Sequence, residues 1–203
     1  MKKMCKRILL CTVIAACVWG WSILCDRQML NEQLIRLHVV ANSDSAQDQQ
    51  IKLRVRDAVV ESLSDAMADF QDISQAKAYI EENLPKIQKT ANDALEALGC
   101  DCEAVVSLGQ EVFGTRFYDT FKLPAGVYEA LRITIGEGEG KNWWCVVFPT
   151  LCVPAASEGF EDVAAGAGFP DGLTAALEGK KGYEIRFYLL DLLGKLEGSL
   201  HKG

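Results

Sequence analysis

The chain has 203 residues, of which 49% are hydrophobic and 24% charged, enough apolar material for one globular core and too much for a wholly disordered chain. Net charge is −7, and setting aside the four basic residues of the first 25 (Lys2, Lys3, Lys6, Arg7) leaves 17 basic against 28 acidic residues. So acidic a body argues against a nucleic-acid partner, and two histidines in the whole chain argue against a His-rich metal centre.

Met1 to Arg7 is short and basic. Ile8 to Leu24 is a 17-residue run without charge, and charge returns at Asp26 and Arg27. Residues 1–25 therefore read as a secretory signal or a membrane anchor, at the lower limit of length for a span. The basic flank keeps the N-terminus in the cytoplasm and sends the rest across. Cleavage, retention and lipidation at Cys17 stand as alternatives. Export permits disulfides among Cys100, Cys102, Cys145 and Cys152, and three pairings are open. Cys100 and Cys102 read as neighbours on one strand face, a poor distance for a bridge. Cys145 and Cys152 meet if Pro149 turns the chain. The C-x-C and C-x6-C spacings do not suit zinc.

Leu34 to Ala41 alternates one wholly apolar face with a mixed one, as a strand with one side on a core does. Ser45 caps a helix from about Ala46 to Phe70, whose stripe is Ile51, Val55, Val59, Leu63 and Met67. A second helix starts at Ser74, is kinked or restarted at Pro85, and is capped by Gly99. Branched residues predict strands over 103–108, 127–135 and 143–148. The glycine-rich segment 136–142 reads as a flexible hairpin connection. Segment 155–182 reads as loop with one helical turn near Leu173, and Ile185, Leu189, Leu192, Leu193 and Leu196 predict a final helix. The expected fold is α+β: a mainly antiparallel sheet with the two long helices on one face, preceded by the signal or anchor helix. Its core spans 34–152, followed by an Ala/Gly-rich loop region (153–182) and a C-terminal helix (183–197).

Catalytic patterns are missing or forced. The Gly136–Gly140 run lacks the spacing of a phosphate loop and joins two strands. There is no G-x-S-x-G, and Asp119-Thr120 is followed by Phe121, not Gly. A Cys–His dyad would need His38 with Cys145 or Cys152. No enzyme activity, cofactor, metal or small-molecule substrate is expected. Trp143 and Trp144 point to opposite sheet faces, one toward a core and one free to anchor a partner.

Two strings, LIRLHVVANSDSAQDQQIKLRVRDAV (34–59) and FGTRFYDTFKLPAGVYEALRITIGEGEGKNWWCVVFPTLC (113–152), together with the leader, resemble the stage II sporulation protein R family of endospore-forming bacteria. The resemblance implies a signalling protein made in the forespore and exported into the intermembrane space. There it would trigger a membrane-embedded aspartic protease that processes the precursor of the mother-cell sigma factor. It also implies a Cys145–Cys152 bridge. Thr150 and the Cys100–Cys102 pair depart from the family pattern. The family brings no catalytic residues, so the expected site is a partner-binding surface: Arg36, His38, Asn42, Asp44, Arg56 and Asp57, with Arg116, Tyr118, Arg132, Asn142 and Trp143. The rival readings are a secreted cysteine-dependent hydrolase and a cell-envelope binding module.

Overall fold

A computed structural model describes residues 2–68, 70, 72–149 and 160–201. Helix α1 (Lys2–Gln33) carries the uncharged run and continues without a break into the body. Its apolar residues from Ile8 to Val18 are exposed, whereas Ile23 and Leu30, with Leu34 just beyond, are buried. Among the described residues it is the one helix long and apolar enough to cross a membrane.

Strand β1 (Ile35–Val40) follows directly, then α2 (Ala46–Ala68) and α3 (Ile73–Ala97). Ser45 Oγ accepts from the Asp48 amide at 3.0 Å, the expected cap. The α3 cap is Asp72, whose carboxylate takes the Gln75 amide at 3.0 Å, and not Ser74. Pro85 lies inside an unbroken α3. Gly99, at φ +67°, takes the left-handed position after α3, and its amide donates to Glu96 O at 2.9 Å.

Cys100 and Cys102 form a disulfide with Cα atoms 5.4 Å apart, against expectation. The two residues precede β2 (Ala104–Phe113), so the strand spacing that kept them apart does not apply. A two-residue-a-side ribbon, β3 (Arg116–Phe117) with β4 (Lys122–Leu123), leads into β5 (Gly126–Ile135) and β6 (Asn142–Phe148). The four-stranded sheet has the order β2-β5-β1-β6. Its β2–β5 and β1–β6 pairs are antiparallel, and β1–β5 is parallel.

β1 thus lies inside the sheet, and all six of its residues are buried. The sequence led to one covered face; the structure covers both. Ile35, Leu37 and Val39 pack with α2 and α3, the two long helices on one face as expected. The opposite face is closed by the end of α1 and by α4 (Phe160–Gly166), α5 (Asp171–Leu177) and α6 (Glu184–His201). Within the segment read as loop, α5 stands where the one helical turn near Leu173 was expected, and α4 is an additional helix.

The face of α6 also differs from its apolar periodicity. Phe187, Leu190, Asp191, Gly194 and Gly198 are buried, while Ile185, Leu192 and Leu196 are exposed. Close approach explains this: a Cβ on Gly194 would stand 1.6 Å from Ala125 O. Asp191 fixes the same contact by accepting from the Ala125 amide at 2.8 Å and from Thr115 Oγ1 at 2.5 Å. α1 is bound to α6 by Arg186, which donates to Asp26 at 2.6 Å and to Ser22 at 2.9 Å, and by the Arg27–Glu197 ion pair.

The 136–141 segment is not a hairpin, because β1 separates β5 from β6. It arches over the C-terminal end of β1 and is pinned there. Asn42 Oδ1 accepts the Glu137 amide at 3.0 Å, Asp44 Oδ1 the Lys141 amide at 2.7 Å, and Ala41 O the Gly140 amide at 2.9 Å. Gly136 needs its φ of +55°, and a Cβ on Gly140 would stand 2.3 Å from Ser43 O.

Candidate functional site

The alternation of β1 sends Arg36 and His38 to the α6 side of the sheet. Neither is at the surface: Arg36 is 0% exposed and His38 5%. As directly exposed contacts, these two expectations are corrected, since the mixed face of β1 is covered. Arg36 lies with its guanidinium carbon 4.0 Å from the Phe113 ring centroid and 5.0 Å from that of Tyr128. Its Nη2 donates to Tyr118 Oη at 3.0 Å.

Parallel pairing with β5 sets Arg132 beside His38, and antiparallel pairing with β6 sets Trp144 on its other side. The His38 ring stacks on Trp144 at 3.8 Å between centroids. His38 Nδ1 is 2.6 Å from Glu111 Oε2, and Arg132 Nη1 donates to Glu111 Oε1 at 3.1 Å. Burial works to raise the Glu111 carboxyl. The hydrogen bonds and charges of His38 and Arg132 outweigh it and hold the group below its ordinary value. Arg116, carried by β3, places its guanidinium carbon 4.7 Å from the Trp144 centroid. The next residue, Phe117, is 77% exposed.

Arg36, His38, Arg116, Tyr118 and Arg132 therefore gather on one face. Glu111, Phe113 and Phe117 join them and were not singled out from the sequence. The sequence predicts this strand only as far as Leu108; β2 runs on to Phe113, and its alternation puts Glu111 and Phe113 on the same face. Asn42, Asp44 and Asn142 sit elsewhere, at the arch over β1. Asn42 is a structural group there, donating to Asp48 at 3.1 Å as well as accepting from the arch. Arg56, Asp57 and Trp143 lie on the α2 side. Arg56 donates to Asp57 at 2.8 and 2.6 Å, and its guanidinium carbon is 4.2 Å from the Trp143 centroid. Trp143 is the more exposed tryptophan of the pair, and Trp144 is half-buried.

His38 and Cys145 cannot form a dyad. Cys145 pairs in register with Leu37 and faces the α2–α3 core, on the opposite side of the sheet from His38. Cys145 is also disulfide-bonded. The expected Cys145–Cys152 pairing falls on Cys152, which lies outside the described residues. Among the described residues no group of three His, Cys, Asp or Glu could hold a metal.

A family model described as stage II sporulation protein R matches residues 31–158, more than half of the chain. The chain belongs to the stage II sporulation protein R family. It is 41% identical over 131 residues to stage II sporulation protein R of Bacillus subtilis (strain 168), covering 64% of this chain and 58% of that protein. The chain thus matches less than two thirds of that relative's length. No solved structure matches. Membership of the stage II sporulation protein R family gives the chain a role in sporulation. The matched segment runs from the last turn of α1 through β6, so it contains the whole Arg36–His38–Arg116 face. Helices α4, α5 and α6 lie beyond it.

Proposed function

We propose that the chain is an exported developmental signal that activates a membrane-embedded aspartic protease by contact, leading to processing of the mother-cell sigma factor precursor. It performs no bond chemistry of its own. The observation that carries this reading is α1. An apolar helix of spanning length runs unbroken into the body, where Leu30 and the Asp26–Arg186 ion pair bind it to the core. A body held this way would stand against a membrane surface, within reach of a partner embedded there. Family membership supports the sporulation setting.

An activator of this kind works only by binding the active form of its target better than the inactive form. For a protease that pairs two subunits to complete its active site, stabilising the pair would suffice. The test is co-expression of chain, protease and precursor in a non-sporulating host. Precursor cleavage should depend on the chain, and Arg132→Glu, which sets a second carboxylate against Glu111, should reduce it at least tenfold while export continues. Cleavage that is equal with and without the chain would end this reading.

A further inference from the structure

Among the described residues Arg36 is the largest fully buried side chain. Its Nε and Nη1 are buried and bonded to nothing. Two residues along the same face, His38 Nε2 is likewise buried and unbonded, and so is Arg116 Nε. Four orphaned nitrogens on three side chains thus converge around Phe113, Tyr118 and Trp144. No carboxylate forms an ion pair with Arg36 or Arg116 among the described residues. The only acid in the cluster, Glu111, is already engaged by His38 and Arg132.

An unpaired guanidinium out of water is strongly unfavourable. The rings of Phe113 and Tyr128 offset part of that cost through their faces, but they accept no N–H bond from the free nitrogens. Buried donors of this kind are normally satisfied, so their absence of partners calls for an explanation.

We propose that this cluster is a receptor for a carboxylate, supplied by an aspartate or glutamate side chain of the partner protein. This rests on the reading that the chain acts by protein contact. A carboxylate carries a single charge on an apolar stem, which suits a dry site walled by aromatic rings. A phosphate brings more charge and a larger hydration cost. The roof is the β3–β4 ribbon, which supplies Arg116 and Tyr118. Its hydrogen-bond ladder is separate from that of the main sheet, so it can lift without breaking the sheet. The exposed Phe117 on the same ribbon is an apolar anchor at the rim. On entry the carboxylate accepts from Arg36 and Arg116.

The first measurement is thermal unfolding of the full chain in detergent micelles, in 100 mM sodium acetate against sodium chloride of equal ionic strength. Acetate should raise the unfolding temperature by about 2–4 °C through its preference for the folded state. The rise should vanish in Arg36→Met and in Arg116→Gln. In chloride, Arg36→Met should unfold at or above the wild-type temperature, because it removes an uncompensated charge. Equal behaviour of the two salts, or an acetate rise that survives both substitutions, overturns the site. A clear fall in stability of Arg36→Met in chloride marks Arg36 as a packing residue and also overturns it. The second measurement is precursor cleavage with Arg116→Gln, at the part-buried rim. A loss of tenfold or more assigns the carboxylate to the partner, and unchanged cleavage overturns that assignment. If the wild-type chain itself fails to promote cleavage, contact signalling is what fails, and the acetate comparison alone decides the receptor.

Discussion

Glu111 holds two basic side chains at once, His38 on one oxygen and Arg132 on the other. Its carboxyl is held below the ordinary value of 4.5, so the ionised form is the one that stabilises the fold. That contribution is complete above the ordinary value and is lost as the pH falls through the lower folded value. Glu111→Gln should therefore cost about 1.5 kcal/mol at pH 7, the usual worth of a hydrogen bond to a charged group. The gap from wild type should be constant down to about pH 4.5 and should close below it. Denaturant titrations at several pH values measure this; a gap that stays constant at pH 3 would assign another role to Glu111. The sequence pointed to five of the residues on this face, Arg36, His38, Arg116, Tyr118 and Arg132. It could not show that Arg36 and His38 are buried. Alternation distinguishes two strand faces but does not say whether a face meets water or a second layer of helices.

Among the elements, α1 belongs to two environments. Its first two thirds expose apolar side chains, and its last third buries one face in the core. Leu30 is completely buried, so Leu30→Ala should destabilise the body by about 3 kcal/mol. Deletion of residues 2–21 should leave the unfolding free energy of the body nearly unchanged. Chemical denaturation of both variants checks the pair, and a large loss from the deletion would mean that the exposed portion is structural. The strong amphipathic helices were legible because α2 and α3 meet the sheet through large side chains at helical spacing. α6 was misread because it meets the sheet through Gly194 and Gly198, where a contact is made by lacking a side chain. The hairpin reading of 136–142 failed for a related reason. Two strands joined by a short glycine-rich link normally pair, and only long-range partners can insert a third strand between them. The strand stretch assumed for Cys100 and Cys102 begins two residues too late to keep them apart.

At the scale of the whole molecule, one sheet divides two apolar cores, and β1 is an inner strand of that sheet with all six residues buried. Its two neighbours, β5 and β6, are reached only after α2, α3 and β2 have been made. A chain ending at residue 135 would have β5 beside β1 but would leave the other edge of β1 bare. With residues 2–21 removed from both, such a fragment should sediment in detergent-free buffer, whereas the chain that continues through β6 and the C-terminal helices should remain dispersed. If the chain is exported as proposed, the same arrangement constrains its passage through a translocation channel. The earliest body segment to emerge is the centre of the finished sheet, and it must wait for about a hundred further residues before both flanks are occupied. On that reading folding finishes only on the far side, after nearly three quarters of the polypeptide has been threaded, so that the completed body would exist only beyond the membrane.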